Sequence, residues 1–139
     1  MGTARSSLRP FWQGWWPARN VVVVEVNGYT IEPGANLEGA NLSAARLEGA
    51  ILAKANLKMA HLLFSANLTD ANLEGADLTA ANLEGADLTA ARLVKADLAE
   101  VNLKKANLKG AHLEGAEANE GTRWLKGFDP VAAGVFFED

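Results

Sequence analysis

Leucine recurs every five residues through the middle of this 139-residue chain, at Leu37, Leu42, Leu47, Leu52, Leu57 and Leu62. After one extra residue the series resumes at Leu68, Leu73, Leu78, Leu83 and Leu88. It continues through Leu93, Leu98, Leu103 and Leu108 to Leu113. Alanine stands two residues before each leucine, from Ala35 to Ala111, except where Val101 replaces it. A period of five suits neither regular element. On an α-helix the leucines step by ~140° and spread around the circumference. On a flat strand an odd period sends successive leucines to opposite faces.

The leucines share an interior only if the backbone turns a corner every five residues. Four corners close a square coil of twenty residues, so the sixteen units of residues 35–115 make about four coils. Parallel coils stack at the ordinary strand spacing of ~4.8 Å and bond backbone to backbone. Leu37, Leu57, Leu78 and Leu98 then form one interior column, and Leu42, Leu83 and Leu103 belong to the next. Alanine points inward beside each leucine, where only a small side chain fits. Ala, Leu, Glu and Lys are good helix formers, yet the strict spacing overrules their composition.

The unit reads Ala-(Asn/Asp)-Leu-x-x, plainest at 71–90 in ANLEGADLTAANLEGADLTA. This run resembles the pentapeptide-repeat family. The resemblance implies an all-β, right-handed quadrilateral β-helix, and the handedness comes from it alone. The tail GTRWLKGFDPVAAG at 121–134 is similar to the closing segment of cyanobacterial members. Those carry a Trp-Pro-x-Gly-Phe-Asp-Pro run, and Leu125 stands here in place of the proline.

A coil stack needs caps, because its ends expose leucines and open backbone edges. Residues 21–34, VVVVEVNGYTIEPG, read as a strand or hairpin turning at Asn27-Gly28 and covering the first coil. Residues 116–139 form the closing cap. There Trp124, Leu125 and Phe128 plug the core, and Asp129-Pro130 opens a short helix of one or two turns. Phe136 and Phe137 either fold onto the plug or stay exposed as a dimer contact. The six-residue unit at 60–65 carries the extra residue as a corner bulge. Leu63 and Phe64 cannot both point inward, so the bulge either lies on the neighbouring coil or presents an apolar spot to a partner.

Residues 1–20 form an aromatic, basic arm holding Phe11, Trp12, Trp15 and Trp16 with Arg5, Arg9 and Arg19. Trp12, Trp15 and Trp16 share a face at helical spacing, and Pro17 ends any such helix. Three roles remain open: a cap on the first coil, a docking segment for a partner, or a contact with a membrane surface.

Chemistry of the catalytic kind is missing. Convergent titratable groups in a cleft are needed for an enzyme, and the outward slots carry mainly Asn, Asp, Glu, Lys, Thr and Gly. His61 and His112 fall on different faces and cannot share a metal. Asp77 and Asp97 stack one coil apart as a solvated ladder near Lys58. The Asn or Asp before each leucine bonds locally to backbone and holds the corner. Neither a cofactor nor a metal is expected. The chain has no cysteine, and no apolar run approaches the ~20 residues of a membrane-spanning helix. The N-terminus makes a poor signal peptide, so a cytoplasmic setting is expected.

The expected function is a non-enzymatic interaction or regulatory scaffold. Its contacts would be the arm, the bulge at Leu63 and Phe64, or the basic patch of Lys104, Lys105 and Lys109. A second reading follows from the resemblance, since some pentapeptide-repeat proteins mimic DNA and act on gyrase. Residues 35–115, however, hold ten acidic and eight basic residues, so the rod carries only -2. Duplex DNA carries one charge per ~1.7 Å, so the rod is a poor copy. Nucleic acid itself is not an expected partner, because the whole chain carries a net charge of -4. The partner is an unidentified protein, and the chain is expected as a monomer or a weak homodimer through an end cap.

Overall fold

A computed structural model describes the backbone of residues 4–11 and 19–138, and side chains from Val24 to Glu138. The repeat folds as the leucine spacing requires. Isolated parallel bridges join Asn36 to Asn56, Asn56 to Asp77, Asp77 to Asp97 and Asp97 to Glu117. That column is the first face of a square rod. The second face stacks Asn41, His61, Asn82, Asn102 and Arg123. Arg46, Asn67, Asp87 and Asn107 make the third, and Ile51, Asn72, Arg92 and His112 the fourth.

Two sets of hydrogen bonds build each unit. Across coils, Leu37 N donates to Asn56 O at 2.7 Å and Asn56 N donates to Ala35 O at 2.8 Å. Within a unit, Ala40 N donates to Leu37 O at 3.0 Å and closes the corner. The last residue before each alanine takes positive φ, as at Ala44 (59°), Ala80 (59°) and Gly85 (73°). The residue before leucine reinforces the turn. The Oδ1 of Asn36, Asn72, Asp87 and Asn107, among others, accepts from the N–H two residues on.

All sixteen repeat leucines are buried, twelve of them among the largest fully enclosed side chains. Full burial of each contributes on the order of 1.5–3 kcal/mol against the entropy of ordering the chain. The alanines line the same core, with Ala50 and Ala111 half-buried. Expected columns and observed columns agree, including the shift of one register position at the inserted residue.

The stack does not stop at residue 115. Ala116, Glu117 and Ala118 occupy the alanine, outward and leucine slots of another unit, and Glu117 bridges Asp97. A second extra residue follows at 119–121, so Arg123 bridges Asn102 at a separation of twenty-one. Thr122 fills the alanine slot, and its hydroxyl donates to Leu98 O at 2.8 Å. Trp124 then stands in the leucine slot. The chain crosses the open end and returns to the first face, where β5 (Phe136–Phe137) pairs in parallel with β4 (Glu117–Ala118).

At the front, β2 (Arg19–Val26) and β3 (Tyr29–Ile31) form the expected hairpin. Asn27 and Gly28 turn it with φ of 52° and 84°, the pair of positive angles that a tight two-residue hairpin turn demands. Val26 and Ile31 are buried in the same core as the leucines. The arm contributes something the sequence did not suggest. β1 (Ala4–Phe11) pairs antiparallel with the whole of β2, from Ala4 opposite Val26 to Phe11 opposite Arg19.

At the back, Trp124, Leu125 and Phe128 are half-buried against the core. The Trp124 and Phe128 rings stack with centroids 5.2 Å apart. The expected helix after Asp129 is reduced to one turn, and no helix is present among the described residues. Asp129 Oδ1 does accept from Ala132 N at 3.1 Å, as an N-cap would. Ala133 and Val135 then donate back to Pro130 O, and Gly134 at φ 89° turns the chain into β5.

Candidate protein-contact surface

Candidate residues can be placed by corner. The corner between the second and third faces carries Ala44, then Phe64, then Gly85, then Lys105. Its rungs are tied by Ala44 N to Leu63 O at 2.8 Å and Gly85 N to Lys104 O at 2.9 Å. Phe64 and Lys105 therefore share one edge of the rod, two rungs apart, roughly 10 Å by strand spacing. Gly85 lies between them with no side chain.

The inserted residue explains the aromatic. Both Phe64 (φ 56°) and Ser65 (φ 60°) take the left-handed conformation, so the corner widens outward. Phe64 is 77% exposed, the most exposed of the large apolar side chains described. Leu63 is half-buried, and its N–H reaches Ser43 Oγ at 3.3 Å. The neutral alternative, a phenylalanine laid flat on the next coil, is not what this geometry holds. Met59, at the preceding corner, is 54% exposed.

Lys104, Lys105 and Lys109 are all exposed. The ion pairs between described residues are Lys58–Asp77 at 3.6 Å, Arg92–Glu74 at 2.9 Å and His112–Glu114 at 3.7 Å. The three lysines thus enter none of them. Lys104 and Lys105 stand at the corner with Phe64, whereas Lys109 stands one corner on, across the third face. The three lysines are thus split between two edges.

Phe11 ends β1, and its side chain, like Trp12, Trp15 and Trp16 entirely, lies outside the described residues. The shared helical face expected of those tryptophans therefore falls outside them as well.

Among the described residues the titratable side chains lie spread along the faces and corners. Among the described residues no set of three His, Cys, Asp or Glu could hold a metal. His61 lies on the second face and His112 on the fourth, the opposite side. Burial pushes the Asp77 carboxyl up, but Thr79, through its hydroxyl and N–H, and Lys58 outweigh it and hold it below the ordinary range. The Thr89 hydroxyl and N–H do the same for Asp87. These carboxylates are occupied in holding corners.

One region escaped the sequence reading. Asp97 and Glu117 stack at the C-terminal end of the first face, and Glu138 follows β5 beside them. A hydrogen bond with Glu117, and the charge of Glu117, raise the Glu138 carboxyl above its ordinary value. Ala116 in the alanine slot was the signal that the five-residue phase continued this far. An open depression of about 540 Å³ lies beside this edge on the second face, lined by Asn82, Asn102, Arg123 and Glu100 among others. Among the described residues no helix is long and apolar enough to cross a membrane.

Comparison with known proteins fits this architecture. The profile of pentapeptide repeats matches in eight copies over residues 34–62, 66–104 and 81–117. No curated protein matches the sequence. Among solved structures, alr5209, a pentapeptide repeat protein from Nostoc PCC 7120, is 39% identical. The match covers 74% of this chain and 84% of that one, with a TM-score of 0.72. AT2G44920, a pentapeptide repeat protein from the Arabidopsis thaliana thylakoid lumen, is 36% identical. Coverage is 61% of this chain and 62% of that one, with a TM-score of 0.51. These likenesses imply the right-handed quadrilateral β-helix for this chain.

Proposed function

Because this chain belongs to the pentapeptide-repeat family, we propose that it is a non-enzymatic interaction scaffold, a rod of about four leucine-lined coils presenting one corner to a protein partner. The corner is the edge shared by Phe64, Lys104 and Lys105. Exposure of Phe64 at 77% is the observation that carries this reading. Burying that ring against a partner would contribute on the order of 1.5–3 kcal/mol to the contact.

The neighbouring lysines define the partner's chemistry. An apolar recess for the ring, with carboxylates about two rungs away, would match the edge. Aromatic anchors supply much of the energy in such contacts, and unpaired lysines set orientation and encounter rate more than affinity. The rod is suited to this use because coil-to-coil bonding keeps the two features at a constant separation. The amide and carboxylate ladders on its faces are engaged with backbone, which leaves the corners as the variable surface.

A photo-crosslinking side chain placed at position 64, and separately at Asp70 on the next corner, tests this surface in host extract. The expected outcome is a discrete adduct from position 64 that disappears when Lys104 and Lys105 are changed to Glu. Equal labelling at both corners, or labelling indifferent to the charge change, would reject the edge as the contact.

A further inference from the structure

On the second face, the second coil differs from the coils on either side of it. It runs from Met59 at one corner, through His61 and Leu63, to Phe64 at the other. Met59 and Phe64 are exposed and Leu63 is half-buried. Of the four side chains that this rung turns outward, His61 alone is polar. The same two corners carry Gly39 and Ala44 on the first coil, and Ala80 and Gly85 on the third. The apolar side chains therefore make a single ridge across the face, with small corner residues on both sides of it.

The backbone of this rung is already in use along the rod. His61 N donates to Ala40 O at 2.9 Å, and His61 O accepts from Leu42 N at 2.7 Å. On the other side Leu62 N donates to Asn82 O at 2.8 Å, and Ala60 O accepts from Asn82 N at 2.9 Å. Leu63 N reaches Ser43 Oγ at 3.3 Å. Adding a partner strand needs an open sheet edge, and this face has none to join. A strand laid over the ridge would bury its own N–H and C=O groups unpaired against Met59 and Phe64. An α-helix closes those bonds within itself.

Length and charge narrow the fit further. Residues 60–63 separate the two corners by three extended steps of ~3.3 Å, roughly 10 Å. Two helical turns, about seven residues at ~1.5 Å each, cover the same length. Positions i, i+3, i+4 and i+7 of such a helix lie on one stripe. Charge lies on one side of the ridge. On this face and its two corners the first coil, from Gly39 to Ala44, carries no charged residue. The fourth coil presents Lys104 and Lys105, which enter no ion pair between described residues. The two nearby acids lean away from the ridge. Glu84 Oε2 accepts from Asn102 Nδ2 at 3.2 Å. The stem of Glu100 lies against Gly121 one rung beyond, where an added Cβ would stand 2.9 Å from Glu100 Cγ.

We infer that the partner contributes an amphipathic α-helix, which crosses the second face along the Met59–Phe64 rung. Its apolar stripe lies on the ridge, and its acidic side chains occupy the flank towards Lys104 and Lys105. This inference rests on Phe64 being a contact and extends that contact from a corner to a face. Met59 receives one end of the stripe and Phe64 the other, so the partner residues that touch them are about two turns apart.

Photo-crosslinking side chains placed at position 59 and, separately, at position 64 test the arrangement in host extract. The labelled partner residues are located by mass spectrometry of the digested adducts. Both positions are exposed, and unchanged circular dichroism checks that each variant folds. The two positions should label a single partner segment at sites about six to eight residues apart, the spacing of two helical turns. Lys104→Glu combined with Lys105→Glu should lower both yields at least threefold. Sites about three or four residues apart, as a strand of that length requires, would overturn the helix. Sites in separate segments, or an adduct from position 64 with none from position 59, would overturn it as well. Absence of any adduct from position 64 would instead reject the corner contact itself, so the two failures are told apart.

Discussion

Thr89 Oγ1 donates to Asp87 Oδ1 at 2.6 Å, and the same oxygen accepts the Thr89 N–H at 3.0 Å. Thr79 and Asp77 repeat the arrangement at 2.6 and 3.0 Å. Both carboxylates are held below their ordinary values, so the folded state binds the proton less readily than the unfolded chain. That stabilisation is complete above the unfolded value near 3.8 and is lost as pH falls through the lower folded value.

Thr89→Val should therefore move the Asp87 carboxyl back toward its ordinary value and leave the Asp77 carboxyl where it is. Carboxyl chemical shifts followed through an acid titration check both. Thermal stability of the variant at neutral pH should drop by about 1 kcal/mol, the worth of one hydrogen bond. A Thr89→Val chain whose Asp87 titrates unchanged would show that the Thr89 N–H and the Thr69 hydroxyl set the shift without the Thr89 hydroxyl.

Leu83 is fully buried with coils above and below it. Leu83→Ala is expected to cost about 2–5 kcal/mol, measured by denaturant unfolding. Thr122→Val should cost less, about 1 kcal/mol, since it removes one bond to Leu98 O and keeps the volume. Near-equal losses at the two sites would show that the Thr122 hydroxyl bond matters to the stack as much as an interior leucine.

Gly85 has φ 73°, and a Cβ built there meets nothing within 4 Å. Gly85→Ala thus isolates backbone strain from packing, and a loss of about 1–2 kcal/mol is expected. Ala80, at φ 59° in the equivalent slot of the preceding corner, gives the reverse experiment. Ala80→Gly should be neutral or slightly stabilising, because the strain removed opposes the greater freedom of the unfolded chain.

Deleting Phe64 restores an uninterrupted five-residue period from Leu37 to Leu113. The deleted chain should fold with the strand-rich circular dichroism of the wild type and melt no lower. Loss of cooperative melting would show that the bulge holds the second coil in place rather than displaying a side chain.

Much of this fold was legible because leucine and alanine carry the period without ambiguity. The columns through Leu37 and Leu78, the corner bonds of the Asn and Asp slot, and the Asn27-Gly28 hairpin all followed from spacing and turn chemistry. What escaped lies where the period changes its letters. Thr122 and Trp124 fill slots that elsewhere hold alanine and leucine, and Val135 with Phe137 do so again, so the continuing stack read as an unrelated tail. β1 escaped for a different reason. Ala4–Phe11 has neither alternation nor β-branched residues, and its pairing with β2 is imposed by a neighbour rather than by its own propensity. Of the candidate surface, exposure at Phe64 was foreseeable from the broken period. Its alignment with Lys105 needed the bridges to be counted across the insertion.

The left-handed slot that closes each corner holds glycine, alanine, lysine, aspartate or glutamate, because its demand is on a torsion, at a cost of about 1–2 kcal/mol to a residue other than glycine, and not on what the side chain is. Such a rod carries two scripts on one thread. The inner script admits almost no spelling changes, and the outer one can be rewritten letter by letter while the cylinder stands. A lineage of these proteins could exchange one partner for another by editing its edges alone, and kinship in the interior would say little about whom any member meets.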